Sequence, residues 1–280
     1  FYYCPMLLND LIKAAIKEDM PNGDVTTDSL GLTPKPGKAV LKAKEDIILS
    51  GLLPFETTVS MLEPNVKIKW HFEEGQRVLK GQNICSLEGD LIQILKAERV
   101  ALNFLGHLSG IATYTRRFVD AIAGTKTRIL DTRKTLPGYR DLEKKAVVHG
   151  GGINHRMNLS TAILIKDNHI AMMGGIKNAV ERTRKNTNLD IEVEAGNLED
   201  VKIAVALKVK RILLDNMNTH TLKEARALIP EDIETEASGN MSLERVPEVA
   251  KAGIDFISVG ALTHSAPVAD VSLQFDWQKK

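Results

Sequence analysis

The chain is poor in the residues that make several kinds of protein. It has two cysteines in 280 residues, Cys4 and Cys85, too few for a disulfide framework or a four-cysteine zinc site. Aromatics make up only 5%, and they are not interleaved with basic residues as a single-strand nucleic-acid binder requires. Charge of one sign is also missing: Lys+Arg 37 against Asp+Glu 36 leaves a formal charge of +1, which gives no footing for a nucleic-acid or membrane-surface partner. No apolar run approaches the roughly 18–20 residues of a membrane span; the longest, around 47–55, is broken by Ser50 and Gly51. The apolar start, 1–8, has neither a basic flank nor a small-residue cleavage site. These absences describe a soluble, cytoplasmic chain with no membrane segment.

What is present changes texture near residue 125. Before it, Val66-Lys67-Ile68-Lys69-Trp70-His71-Phe72 alternates strictly, as a half-buried strand does. Glu74-Gly75-Gln76 and Lys80-Gly81-Gln82 read as turns, with strands expected at 38–44 and 84–87 and a helix at 7–18. A long helix follows, with Val100, Phe104, Leu108, Ile111, Phe118 and Ile122 recurring at helical spacing and Gly124 as its stop. Gly106 and Gly110 notch one face of it, where another backbone could approach closely.

After residue 125 short apolar strands (128–130, 162–165, 191–193, 212–214, 233–235 and 256–259) alternate with helical stretches (142–149, 176–186, 198–207, 221–228 and 243–252). Six βα units imply a parallel sheet. The short, regular late units favour a barrel of the TIM type, and no dinucleotide fingerprint follows the first strand.

Chemistry in such a barrel sits at the carboxyl ends of the strands. Those ends read Asp131-Thr132-Arg133-Lys134, Lys166-Asp167-Asn168-His169, Glu194, Asp215-Asn216, Ser238-Gly239 and Gly260. The first two are basic, the next two acidic, the last two small. Arg and Lys facing a pocket bind carboxylate or phosphate, carboxylates on adjacent strands suit Mg2+ or sugar hydroxyls, and small turns on late strands form a phosphate cradle. From Lys126 through Lys166 nine Lys/Arg face three Asp/Glu, although Lys144 and Lys145 read as a solvated helix surface. Together they call for a small polyanionic substrate bearing a metal-bound, phosphorylated sugar. Gly150-Gly151-Gly152 lacks the following Lys-Ser/Thr of a P-loop and reads as a tight turn. No HExxH or GxSxG occurs, and His107 reads as a packed or surface histidine.

Eight motifs in order then resemble the quinolinate phosphoribosyltransferase family. They are EDMPNGDVTTD (18–28), AERVALNFLGHLSGIAT (97–113), ILDTRKTLPGYRDL (129–142), GGGINHRMNLSTAILIKDNHI (150–170), EVEAGNLED (192–200), ILLDNM (212–217), EASGNM (236–241) and ISVGALTHSAP (257–267). The resemblance implies an α/β fold: an N-terminal α+β open sandwich over 1–109, joined by the returning 266–280, and an incomplete, seven-stranded TIM-like α/β barrel over 110–265. It implies transfer of phosphoribosyl from phosphoribosyl pyrophosphate to quinolinate with decarboxylation, giving nicotinate mononucleotide in NAD biosynthesis. No tightly bound organic cofactor is expected beside substrate-borne Mg2+.

Residue by residue, Arg133, His155 and Arg156 match positions that hold the two carboxylates of quinolinate, with Thr132 beside them. Lys134 and Lys166 match a catalytic pair near carboxylate and phosphate. Glu194 and Asp215 match the acidic pair serving the ribose hydroxyls and Mg2+. Ser238, Gly239 and Gly260 match the 5′-phosphate cradle, with Thr263 and His264 close by. Arg99 matches an arginine donated across a dimer interface, which makes the expected unit a homodimer or larger with shared sites. The sequence departs from the family at Thr161, where an acidic residue is common, and at Asn240, where a second Gly is frequent. A nicotinate-specific sister enzyme is the nearest rival reading, and five cations facing the base (Arg99, Arg133, Lys134, Arg156, Lys166) favour the dicarboxylate.

Overall fold

A computed structural model describes residues 5–276; Cys4 lies outside the described residues. The backbone separates into two units. One takes the described residues up to Tyr114, together with Leu136–Gly151 and the chain from Ala266 onward; the other takes Thr115–Thr135 and Gly152–Ser265.

The first unit begins with α1 (Pro5–Asp19) and the short α2 (Val25–Ser29). Asp24 caps α2 by accepting from the backbone N–H groups of Thr26 and Thr27. There follow β1 (Pro36–Ala43), β2 (Ile47–Ile48), α3 (Leu52–Leu62), β3 (Lys67–Trp70), β4 (Arg77–Val78) and β5 (Asn83–Asp90). β1, β5 and β3 pair antiparallel, and β12 (Val271–Phe275) returns to pair with the outer edge of β1, Leu41 opposite Leu273. The expected alternation of β3 holds, with Ile68 and Trp70 turned inward and Lys67 and Lys69 exposed. Phe55, Leu41, Leu49, Ile84, Leu87 and Ile94 are fully or almost fully buried at the centre of this unit.

The long helix α4 (Leu91–Ala121) starts nine residues before Val100, the first residue of the sequence expectation, because β5 leads straight into it. It buries Phe104, Leu108, Ile111 and Phe118, and Gly124 beyond it takes a φ of +83°. The glycine notch is occupied by this chain's own returning segment. A Cβ on Gly110 would lie 2.0 Å from the carbonyl oxygen of Pro267, and one on Gly106 would lie 2.9 Å from that of Ala269. The notch thus receives the close backbone approach that its spacing suggested.

α5 (Arg140–His149) also belongs to the first unit. Lys144, read from sequence as surface, is completely buried, as is Glu143. The helix carries charge on the face it buries. Glu143 accepts from His107 Nε2 at 2.8 Å and from the Leu136 N–H at 3.2 Å, so His107 is a packed histidine with a carboxylate partner.

In the second unit β6 (Arg128–Leu130) is followed by β7 (Ile163–Ile165), α6 (Asp167–Met173), α7 (Ile176–Arg184), β8 (Ile191–Ala195), α8 (Leu198–Ala206), β9 (Arg211–Asp215), α9 (Thr219–Leu228), β10 (Glu234–Ser238), α10 (Val246–Lys251), β11 (Phe256–Ser258) and α11 (Ala261–His264). All pairings are parallel, in the order β6-β11-β10-β9-β8-β7. A seventh position exists as one residue. Ile153 bridges Leu130 on the free edge of β6, through Ile153 N–H to Ile129 O (2.8 Å) and Asp131 N–H to Ile153 O (3.1 Å). The glycine triplet that reads as a turn thus delivers the missing strand, too short to show as an apolar run. β8 is buried along its whole length, as strands covered on both faces are. Asp167-Asn168-His169, expected as a strand end, is instead the first turn of α6, with Lys166 at its N-cap. Among the described residues no helix is long and apolar enough to cross a membrane.

Candidate active site

The carboxyl ends of the second unit's strands open into a cleft of about 790 Å³. Thr132, Arg133, Lys134, His155, Arg156, Lys166, Glu194, Asp215, Ser238, Gly239, Gly260 and His264 all line it. Thr263 does not: it is buried and donates its hydroxyl to Lys134 O at 2.7 Å. Arg99 is exposed on α4 in the first unit. A smaller cleft, about 510 Å³, lies at the amino ends of β8, β9 and β10, the end of a parallel barrel that does not carry chemistry.

The basic wall is built by fixing two chain segments to each other. Asp131, fully buried at the end of β6, accepts from Asn154 Nδ2 (2.5 Å) and from the His155 N–H (2.8 Å). That carboxylate ties the stretch carrying Arg133 and Lys134 to the one carrying His155 and Arg156. Thr132 Oγ1 accepts from the Lys134 N–H at 3.1 Å. Arg156 donates to Ala162 O at 3.2 Å, while Arg133 Nε is buried without a hydrogen-bond partner among the described residues. Burial and then the neighbouring Arg133 disfavour the charged form of Arg156. Two guanidinium groups held together with an unsatisfied N–H form a site that an anion would complete.

The acidic pair lines the same cleft. Glu194 on β8 pairs with Lys166 Nζ at 3.2 Å, and Asp215 at the end of β9 accepts from Asn216 Nδ2 at 2.6 Å. They supply two hard oxygen donors and no complete cage. That fits Mg2+, which takes one or two protein carboxylates and fills its shell from water and substrate phosphates.

The third wall is made of small residues in unusual backbone conformations. Asn216 (φ +53°), Gly239 (φ +94°) and Asn240 (φ +49°) all lie in the left-handed region. A side chain on Gly239 would begin 2.1 Å from Asn216 Oδ1, and one on Gly260 would begin 2.9 Å from Lys134 Cδ. The departure at Asn240 has a simple reason: a position with positive φ favours Gly, and Asn is the residue that best replaces it. At Thr161 the hydroxyl donates to Asn158 O at 3.3 Å within its own exposed loop.

Sequence reasoning missed the floor of the cleft. His155 Nε2 lies 3.3 Å from Glu192 and 3.4 Å from Glu236. Glu236 Oε2 also meets Arg211 Nη1 at 3.3 Å. Arg211 in turn pairs with Glu234 at 2.7 Å and stacks 4.2 Å from the centre of the Phe256 ring. The signal was alternation within the strands: Glu192 and Glu194, Arg211 and Asp215, Glu236 and Ser238 share a face at even spacing. Burial disfavours the imidazolium of His155, but the hydrogen bonds and charges of Glu192 and Glu236 outweigh it and raise the pKa to about 9.

A parallel barrel whose strand ends sort cations, carboxylates and small turns into one cleft defines an enzyme of phosphorylated, anionic small molecules. The sequence relationships are narrower. The family model of the C-terminal domain of quinolinate phosphoribosyl transferase matches residues 111–274, and that of its N-terminal domain matches 24–109. A probable nicotinate-nucleotide pyrophosphorylase (carboxylating) of Synechocystis is 42% identical over 274 residues, covering 96% of this chain and 92% of the relative. A mitochondrial quinolinate phosphoribosyltransferase (decarboxylating) of Nicotiana tabacum is 39% identical over 290 residues, covering 96% and 82%. The solved nicotinate-nucleotide pyrophosphorylase of Francisella tularensis superposes with a TM-score of 0.94 at 37% identity over 98% of each chain. The chain belongs to the quinolinate phosphoribosyltransferase family.

Proposed function

We propose that this chain transfers the phosphoribosyl group of phosphoribosyl pyrophosphate to quinolinate and releases pyrophosphate and CO2, forming nicotinate mononucleotide for NAD synthesis. The observation that carries this reading is the gathering of charge in one cleft: Arg133, Lys134, Arg156 and Lys166 line it together with Glu194 and Asp215. A pyridine with two carboxylates needs more than one cationic fork, and a ribose 5-phosphate bearing pyrophosphate needs both a phosphate cradle and carboxylates for its hydroxyls.

The chemistry asks the protein for position and electrostatics. Arg133 and Arg156 hold the quinolinate carboxylates so that the ring nitrogen faces the anomeric carbon. The 5′-phosphate settles against Ser238, Gly239 and Gly260, with His264 beside it. Glu194 and Asp215 favour the positive charge that develops on the sugar as the nitrogen–carbon bond forms and the bond to pyrophosphate breaks. Glu194 and Asp215 would hold Mg2+ together with the substrate, and the ion would supply positive charge toward the departing pyrophosphate. Lys134 and Lys166 stabilise the same leaving anion. The alkylated ring nitrogen then accepts the electron pair of the C2–carboxylate bond as CO2 leaves, and C2 takes a proton. No general base is required. Arg99 serves the neighbouring site of a homodimer.

Incubation with quinolinate, phosphoribosyl pyrophosphate and Mg2+ should yield nicotinate mononucleotide and CO2 in equal amounts. Turnover of nicotinate in place of quinolinate would overturn the assignment.

A further inference from the structure

The floor of the cleft holds more carboxylate than the reaction uses. Glu192 and Glu236 come from β8 and β10, both project inward, and both are at least nine-tenths buried. Neither is among the groups to which the mechanism gives work. Burying two carboxylates side by side is costly, and Glu236 Oε1 has no hydrogen-bond partner among the described residues. Such an arrangement is a poor way to gain stability.

Their common target is His155 Nε2, at 3.3 and 3.4 Å. His155 Nδ1 lies 2.7 Å from the Arg156 nitrogen. It accepts that N–H in the neutral ring, which is then the Nε2–H tautomer, whereas in the imidazolium both ring nitrogens carry protons and Nε2–H still faces the carboxylates. Both ring nitrogens are engaged by the protein. The charged groups around the ring are Glu192 of β8, Arg211 of β9, Glu236 of β10, Asp131 at the end of β6, and the guanidinium groups of Arg133 and Arg156. Histidine and two carboxylates within ligand distance could in principle hold a metal, but Arg211 Nη1 on Glu236 Oε2 already supplies the cation there.

We propose that Glu192 and Glu236 are positioning residues for the base. They hold His155 by its Nε2–H, and the ring so held fixes the turn that presents Arg156 to the substrate's carboxylates. Arg211 braces the device from below, with Glu234 and Phe256 fixing its guanidinium. The role in base recognition rests on the activity proposed above; the holding of the ring does not.

Two measurements test this. The first is nitrogen NMR of the 15N-histidine-labelled protein, with the His155 signals identified by their loss in His155→Gln. Nε2 should remain protonated from pH 6 to pH 8, and the imidazole should titrate well above an ordinary histidine. In Glu192→Gln and Glu236→Gln, which keep size and an acceptor oxygen, the titration should move down. The second measurement is steady-state kinetics of the same variants. The KM for quinolinate should rise about tenfold, the order of effect seen when the carboxylate partner that orients a functional histidine is lost, with kcat and the KM for phosphoribosyl pyrophosphate changing by less than about threefold. A wild-type His155 with a bare Nε2 overturns the proposal even if no variant folds. Variants with unchanged titration and unchanged quinolinate KM, or with both KM values raised equally, overturn it too. Because the NMR signals need no turnover, a protein inactive on quinolinate would refute the activity and leave the holding of the ring open to direct measurement.

Discussion

Gly110→Ala should destabilise the protein although alanine is the better helix former. The gain in helix propensity is about 1 kcal/mol. Against it stands the carbonyl of Pro267: the new Cβ would lie 2.0 Å from its oxygen, 3.0 Å from its carbon and 3.2 Å from the Ala269 nitrogen. These are backbone atoms, which cannot rotate aside. Restoring ordinary contact requires the returning segment to retreat by roughly 1.4 Å, within the range where overpacking costs about 1–3 kcal/mol. The retreat also pulls on the Ala269 N–H bond to Gly106 O, now 2.9 Å, worth about 1 kcal/mol. The net loss is about 2 kcal/mol, which for a chain of this size lowers the midpoint of thermal unfolding by roughly 4–8 °C. Gly106→Ala meets Ala269 O at 2.9 Å and the flexible tip of Val268 at 3.0 Å, so its loss should be smaller. Thermal unfolding followed by circular dichroism compares the two. A Gly110→Ala protein that melts at or above the wild type, or one less affected than Gly106→Ala, would refute the close-approach reading.

Other expectations concern the cleft. Gly239→Ala, at φ +94° and 2.1 Å from Asn216 Oδ1, should raise the KM for phosphoribosyl pyrophosphate about tenfold or more and spare that for quinolinate; equal effects on both would argue against a phosphate cradle. Asp131→Ala strands the Asn154 amide and the His155 N–H, so it should cost about 2–3 kcal/mol in urea unfolding and weaken quinolinate binding in calorimetry; a neutral result on both would sink its linking role. The folded-state pKa of His155 is about 9, raised above 6.5. Its contribution to stability is therefore complete below about pH 6.5 and is lost as the pH climbs through 9, at most about 3 kcal/mol; His155→Gln should flatten that limb of the pH–stability profile, and an unchanged slope would contradict it. Mixing Arg99→Ala with Lys134→Ala subunits should restore part of the activity if sites are shared, and confirmed heterodimers without rescue would exclude sharing.

The legible parts of this chain are those where one signal dominates. Parallel strands buried on both faces are short apolar runs ended by polar residues, so β8, β9 and β10 and their strand-end side chains could be located from sequence. The long helix was equally plain, because α4 buries an apolar stripe at helical spacing. α6 was not, since it buries no residue of its own, and a helix without a buried face leaves no periodicity. Ile153 was missed because a strand of one bridge has no pattern. Lys144 was misread because one of two adjacent helical lysines ordinarily points to water, and here the helix buries a charged face instead.

Whole-chain charge hides the same lesson at the site. A chain of net +1 offers nothing to a polymer, which samples the surface over tens of ångströms and sees the sum. A small anion samples one cleft. There the cations of the first strand ends and the carboxylates of the next two meet at one contact, Lys166 with Glu194, and Arg133, Lys134 and Arg156 line the cleft beside Asp215. Beneath them a second layer, Glu192, Glu236 and Arg211, is charged in its own right. Period-two spacing places Glu192 and Glu236 in that layer once Glu194 and Ser238 are at the rim, because residues two positions earlier on a strand face the same interior, and Arg211, four positions before Asp215, shares its face. Reading one layer below the strand ends would have exposed the glutamates that hold His155.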